Sequence, residues 1–281
     1  MINTKIHSMM DTFTPTEVKI ANYLIENKEL ARTMTSYDLS EKLGIGQSNI
    51  IRFSQKLGYK GFRDLQLDIL INTEEEYKEI NEDDSTEITN NKIVQQYVNI
   101  ARTTNSLNSP DVVDDCIKKI ISSNRIIVYG VGNSNLFAEY LSNHLLKMRL
   151  NSFSSSNAHI IYSTASGFTS SDLLILVSET GETREIIKLA KIAKLHHIPI
   201  IAITRLAKNT LLKYADFVLY TCNDLSSSRL NATTIRCSQL CIIDMLTLNI
   251  LKSDFKIFKK YINESEKLLS EKYYGSTDPL T

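Results

Sequence analysis

DLLILVSETGETRE, residues 172–185, is the stretch that decides how the rest of the chain is read. Leu173–Val177 form an uninterrupted apolar run, which suits a central strand of a parallel sheet covered on both faces. The character then changes to Ser178, Thr180, Gly181 and Thr183, and a helical pattern starts at Arg184. Hydroxyls and a glycine between strand and helix make a place to hold an oxyanion. The first helical N–H groups lack partners and carry partial positive charge, glycine lets the backbone approach closely, and the hydroxyls add donors. A capped strand-to-helix turn is the plainer alternative, because Ser and Thr are common N-caps.

A second stretch has the same form. RIIVY at residues 125–129 reads as another buried strand and runs into Gly130-Val131-Gly132-Asn133-Ser134, with a helix expected from about Asn135. A dinucleotide fold would place its third glycine at Asn135 and an acid about 20 residues further on, where the next strand candidate ends in Ser154, Ser155 and Ser156. Nor does a G-x-x-x-x-G-K-[ST] run occur. Two hydroxyl-bearing loops at the carboxyl ends of parallel strands suit a small phosphorylated molecule better than a nucleotide. The fold class expected here is α/β, a doubly wound parallel sheet.

These residues resemble the sugar isomerase (SIS) domain, a phosphosugar-binding fold. Its first loop, G-x-G-x-S, matches Gly130, Gly132 and Ser134, and its later S-x-[ST]-G-x-T matches Ser178, Thr180, Gly181 and Thr183. Residues 197–221 resemble that domain's next strand, helix and strand. The resemblance implies that the hydroxyls of Ser134, Ser178, Thr180 and Thr183 hold a sugar phosphate. Gly130, Gly132, Asn133, Glu179 and Gly181 complete the candidate set. Glu179 either points away from the anion or reads a sugar hydroxyl or amine.

At 281 residues, with 42% hydrophobic content, the chain can hold two ordinary domains with real cores. Lys+Arg and Asp+Glu both number 32, so any DNA binding must come from a local patch rather than from net charge. Cys116, Cys222, Cys237 and Cys241 show no C-x-x-C spacing, and Cys237 and Cys241, four apart, read as core positions rather than ligands. No metal or cofactor is expected. The N-terminus lacks an apolar signal core, and no apolar run approaches the roughly 18 residues of a membrane span, so a cytoplasmic protein without a membrane partner is expected.

The N-terminal part is all-helical in pattern. Thr14-Pro15-Thr16-Glu17 opens a helix with a cap, a first-turn proline and a capping box. Ile20, Ala21, Leu24 and Ile25 give it a buried face. Thr35 or Ser36 can cap a second helix, residues 37–43, and Gly44-Ile45-Gly46 turns into a third that ends at Gly58. Two helices around a glycine turn plugged by Ile45 make a helix-turn-helix. On the third helix Ile50, Ile51, Phe53 and Leu57 are expected to face the core. Gln47, Ser48, Asn49, Arg52, Gln55 and Lys56 are of the kinds that hydrogen-bond to base edges and phosphates, with Lys60 following; a solvated helix face is the alternative. The run FTPTEVKIANYLIENK through LSEKLGIGQSNIIRFSQKLGYKGFRDLQLDIL resembles the N-terminal helix-turn-helix of the RpiR/MurR transcriptional regulators, a family in which it is fused to an SIS domain. Gly46 stands where that family often has a Ser N-cap, a change worth a few tenths of a kcal/mol.

Glu74, Glu75, Glu76, Glu79, Glu82, Asp83, Asp84 and Glu87 form an acidic stretch that reads as a solvated connector. The expected division is a DNA-binding domain at 1–75, linker and connecting helix at 76–108, SIS domain at 109–256, and a C-terminal helix and tail at 257–281. A helix is expected from Lys92 to Leu107 and another from Pro110 to Ile121. Residues 232–251 are apolar at helical spacing (Ile235, Leu240, Ile243, Leu246, Leu248), a helix either covered by the sheet or paired with another subunit. Residues 255–269 read as an amphipathic helix before a frayed tail. Together these features point to a DNA-binding regulator of sugar metabolism, a repressor, that binds operator DNA and a phosphosugar effector as a homodimer or homotetramer. The competing reading is an aldose–ketose phosphate isomerase using Glu182, Glu185, His144, His159 or His197 as base.

Overall fold

The computed structural model describes residues 5–6, 9–31, 33–71, 80–222 and 231–273. The chain divides into two compact units. One comprises Met1–Ser109, Arg205–Lys208 and Tyr220–Cys241, and the other Pro110–Thr204, Asn209–Leu219 and Ile242–Thr281.

In the first unit, helices α1 (Pro15–Glu26), α2 (Ser36–Leu43), α3 (Gln47–Lys56) and α4 (Phe62–Ile71) surround a core of Ile20, Leu24, Leu39, Ile50, Phe53, Leu57 and Leu65. Local chemistry sets their starts. Thr14 accepts from the Glu17 N–H at 3.3 Å while the Glu17 carboxylate accepts from the Thr14 N–H at 2.8 Å, and Thr35 and Asp38 repeat the capping box at the head of α2. Gly44 closes α2 at φ +62°, and Gly46 caps α3 through its backbone alone. Ile51 departs from expectation: it is 38% exposed. The buried line is Ile50, Phe53, Ser54 and Leu57, at steps of three and four, which leaves Ile51 on the flank. Ser54 joins that line because its hydroxyl donates to the Ile50 carbonyl at 2.9 Å.

Helix α5 (Thr86–Leu107) starts six residues before the expected Lys92, because Ser85 accepts from the Ile88 N–H as an N-cap. Glu74, Glu75, Glu76 and Glu79 lie outside the described residues. Much of what joins α5 to the 220–241 segment is polar. Gln96 donates to Thr234, the Thr104 and Ser238 hydroxyls lie 2.7 Å apart, and Asn108 bonds both the N–H and the carbonyl of Tyr220.

The second unit carries α6 (Pro110–Ser122), β1 (Ile126–Gly130), α7 (Asn133–Lys147), β2 (Ser152–Phe153), α8 (Ala158–Ala165), β3 (Leu173–Val177), α9 (Arg184–Leu195), β4 (Ile200–Arg205) and β5 (Phe217–Thr221). The sheet order is β2-β1-β3-β4-β5, with β1 parallel to both β2 and β3, and β3 parallel to β4. Period-two alternation divides the strands between two cores. Ile126, Val128, Leu173, Ile175 and Val177 pack with residues of α6, α7, α10 (Asn231–Ser253) and α11 (Phe255–Tyr273), whereas Ile127, Tyr129, Leu174 and Leu176 pack with residues of α8 and α9. Covered on both sides, the strands read as continuous apolar runs, and the doubly wound α/β class expected from them is the one observed.

Four elements differ from expectation. Helix α7 begins at Asn133 rather than Asn135, because Gly132 at φ +60°, ψ −128° ends the strand path two residues sooner. Between β4 and β5 the expected helix is a single 3-10 turn, Leu211–Lys213. On α10, Ile242, Ile243, Leu246 and Ile250 are buried, but Leu240 and Leu248 are 40% and 63% exposed. Residues Thr234–Ser253 are long and apolar enough to cross a membrane, as core helices also are, and the buried side of α10 is core. Helix α11 extends to Tyr273, beyond the expected 269; the tail from 274 lies outside the described residues.

Candidate functional site

In this strand order the winding reverses between β1 and β3, and open α/β sheets bind ligands outside the carboxyl ends of strands at such a point. Gly130 pairs with Val177 as the last rung of the β1–β3 ladder, so Val131 and Ser178 leave the sheet side by side. Both loops named in the sequence therefore flank one crevice.

The β1 loop is shaped by backbone. A Cβ on Gly130 would lie 2.6 Å from the carbonyl carbon and oxygen of Ser134 and 2.9 Å from the Asn135 nitrogen, so the first turn of α7 rests directly on the strand end. Gly132 is the N-cap, which makes Asn133 and Ser134 the leading residues of α7; their N–H groups have no carbonyl one turn earlier.

The β3 loop is shaped by side chains. Gly181 sits at φ +63°, and a Cβ there would lie 2.2 Å from the Oδ1 of Asn209. Asn209 donates to Thr204 at 3.3 Å and accepts from the Leu212 N–H at 3.2 Å. The Leu211 N–H donates to the Gly181 carbonyl, and the Glu182 carboxylate accepts from the N–H and hydroxyl of Thr210 at 2.6 and 2.7 Å. Within the loop, Ser178 is buried with its Oγ 3.2 Å from the Thr183 Oγ1. Thr180 is exposed and accepts from the Glu182 N–H, while Glu179, half-buried, accepts at its carbonyl from Thr204. Thr183 caps α9 by backbone only, so its hydroxyl is not spent on the helix. Asn209 carries no motif of its own, and nothing in its neighbours marks it beforehand.

The candidate bases are scattered. Glu182 is engaged by Thr210. His144 lies in the last turn of α7, which runs back to the amino edge of the sheet, and lines a cavity of about 200 Å³ with Lys147, Asp244, Leu248 and Ile262. Burial, then Lys147, hold its imidazole below the usual range against the opposing pull of Asp244. His197 precedes β4 and so also belongs to the amino edge. His159 and Glu185 are exposed in the first turns of α8 and α9. Among the described residues no group of three or more His, Cys, Asp or Glu could hold a metal ion.

On α3, Gln47, Ser48, Arg52 and Gln55 are exposed and Asn49 is half-buried. Gln47 donates to Ser36 at 2.9 Å. Lys56 is occupied: its ammonium donates to the Thr12 carbonyl at 2.8 Å and to Glu17 at 2.7 Å, and lies 5.2 Å from the Phe13 ring centre. It ties the end of α3 to the head of α1, whereas Lys60, beyond α3, is exposed.

Residues 1–76 match the model of the helix-turn-helix domain, rpiR family, and residues 119–249 match that of the SIS domain. YfhH of Escherichia coli strain K12, an uncharacterized HTH-type transcriptional regulator, is 26% identical over 275 residues, 95% of this chain and 98% of its own. Among solved structures, Vibrio vulnificus NanR complexed with ManNAc-6P is similar at a TM-score of 0.60, with 20% identity over 96% of this chain and 98% of NanR. The Methanococcus jannaschii protein MJ1247, whose structure infers a 3-hexulose-6-phosphate isomerase function, is similar at 0.53, with 23% identity over 61% of this chain and 95% of its own. With an rpiR-type helix-turn-helix followed by an SIS domain, the chain belongs to the RpiR/MurR family of transcriptional regulators.

Proposed function

We propose that the chain is a DNA-binding repressor of sugar metabolism whose SIS domain senses a phosphosugar. The observation that carries this reading is the meeting of two helix-heading, hydroxyl-lined loops at the β1/β3 reversal. Ser134, Thr180 and Thr183, with the leading N–H groups of α7 and α9, offer donors to a phosphate, and Ser178 sets the position of Thr183. Gly130, Gly132, Asn133 and Gly181 shape the cradle, and Glu179 borders it. NanR, similar over 96% of this chain, was solved in complex with ManNAc-6P, which supports the same ligand class here.

In this reading residues 1–75 bind DNA, 76–108 connect, 109–256 sense the sugar and 257–281 close the chain. Gln47, Ser48, Asn49, Arg52 and Gln55 approach base edges in the major groove, and Lys60 contacts phosphate, with Lys56 bracing α3. One helix-turn-helix buries too little surface for specificity alone, so two copies read two half-sites. The exposed Leu248 of α10 supports a pairing surface there. Three of the five candidate bases are spent or distant, Glu182 on Thr210 and His144 and His197 at the opposite edge of the sheet, which favours sensing over isomerisation. Glu185 and His159, at the heads of α9 and α8, are the two that the isomerase assay tests.

The test is a gel-shift titration of full-length protein on DNA fragments selected by binding, with and without a panel of hexose and amino-sugar phosphates, beside an aldose–ketose isomerase assay. One phosphosugar should change DNA affinity without being turned over. Turnover with no DNA binding would replace this reading by the isomerase one.

A further inference from the structure

The phosphate cradle lies between β1 and β3, yet an unsatisfied polar pair belongs to its β2 side. Asn135, 6% exposed in the first turn of α7, donates from its Nδ2 to the Glu139 carboxylate at 2.7 Å. That bond fixes the amide orientation, because a carboxylate accepts and the amide nitrogen donates. The Oδ1 of Asn135 is left buried without a hydrogen-bond partner, and so is the hydroxyl of Ser154, just past β2. Buried polar atoms in this condition are uncommon and costly.

Helix and strand geometry place the two toward the same end of the contact between α7 and β2. The hydroxyls of Ser142 on α7 and Ser152 on β2 lie 2.8 Å apart, which pins helix to strand at that level. Asn135 is seven residues back from Ser142, on the same helix face and about 10 Å nearer the carboxyl edge. Ser154 is two residues on from Ser152, on the same side of the strand path and about 7 Å nearer that edge. Because α7 runs antiparallel to β2, both displacements point the same way, toward the end where Asn133 and Ser134 head the helix.

We propose that Asn135 and Ser154 form the sugar-reading half of the effector site and together bind one hydroxyl of the phosphosugar. This rests on the phosphosugar reading above. A hydroxyl satisfies both atoms at once, donating to the Oδ1 of Asn135 and accepting from the Oγ of Ser154, whereas inorganic phosphate reaches only the cradle. Glu139 is a positioning residue that keeps the amide from turning over.

The test is calorimetry on the full-length protein and on Asn135→Ala and Ser154→Ala, with inorganic phosphate, glucose 6-phosphate, N-acetylmannosamine 6-phosphate and monodeoxy hexose 6-phosphates as probes. Each variant should weaken the tightest hexose 6-phosphate at least about tenfold while inorganic phosphate binding stays within about twofold. One monodeoxy probe should bind wild type and Ser154→Ala alike. Equal losses for inorganic phosphate and hexose 6-phosphate, or no loss in Ser154→Ala, which removes a single hydroxyl, would overturn the inference alone. A wild-type protein that binds no hexose 6-phosphate would overturn the underlying reading and this inference with it.

Discussion

The β1 and β3 loops leave adjacent strands at the same level and each needs a glycine, but for different reasons. Gly130 is required because helix backbone lies against it, and nothing there can step aside. Gly181 is required by its positive φ and by the side chain of Asn209, an obstacle that, unlike backbone, can turn aside. The first loop is part of the strand–helix packing. The second is a separate piece held by a hydrogen-bonded brace from Thr204 to Leu212. A loop held by side-chain bonds can answer a ligand at less cost than one built into the core, so the β3 loop is the one expected to respond to the effector.

That contrast can be broken most sharply at Gly130. Gly130→Ala should cost about 3 kcal/mol, because a methyl group 2.6 Å from helix backbone forces α7 off the sheet. A urea midpoint near wild type would show that α7 is not seated as described. Gly181→Ala should cost about 2 kcal/mol, part from its left-handed backbone and part from Asn209. Adding Asn209→Ala should recover only the second part, so the double variant should be more stable than the two single costs sum to. Strict additivity in the same denaturation series would show that Asn209 is not the obstacle at Gly181.

At its other end β3 is anchored by Asp172, whose carboxylate accepts from Arg125 at 3.0 and 2.7 Å and from the Thr169 N–H at 2.7 Å. Asp172→Asn should cost about 2 kcal/mol at neutral pH. The Arg125 hydrogen bonds hold this carboxyl below its usual range, so folding favours the ionised form. The stabilisation is then complete above the unfolded value, about 4, and is lost as pH falls through the lower folded value. The gap between wild type and Asp172→Asn should therefore narrow below about pH 4; a gap independent of pH would contradict the ion pair. The smallest effect on folding is expected at Thr183. Thr183→Ala should leave the melting temperature nearly unchanged and weaken phosphosugar binding roughly tenfold, the loss of one charge-assisted hydrogen bond. Unchanged binding in calorimetry would take Thr183 out of the cradle.

Much of the molecule was legible because local chemistry and burial agree. The Thr14 and Thr35 caps, the Gly44 turn, the apolar strands and the Thr183–Arg184 helix start all follow from residues near them in sequence. Misreadings arose where distant partners or finer geometry decide. Ile51 and Leu248 are apolar and near the right period, but one helical step off the buried line. Lys56 looks like a free cation until Thr12 and Glu17 are seen to hold it. Glu182 reads as a base candidate, yet it serves as the clasp between the β3 loop and Thr210. Asn209 lies 28 residues beyond the glycine it packs against, and no periodicity links them.

Sensing of this kind requires that the phosphosugar crevice and the DNA-reading helix be energetically coupled in one molecule. The direct measurement is a closed thermodynamic cycle: DNA affinity with and without saturating phosphosugar, and phosphosugar affinity with and without saturating DNA. Both pairs should change by the same factor, as linkage requires of coupled sites, in the range of about 5- to 150-fold. A phosphosugar that binds equally well to free and DNA-bound protein would contradict it.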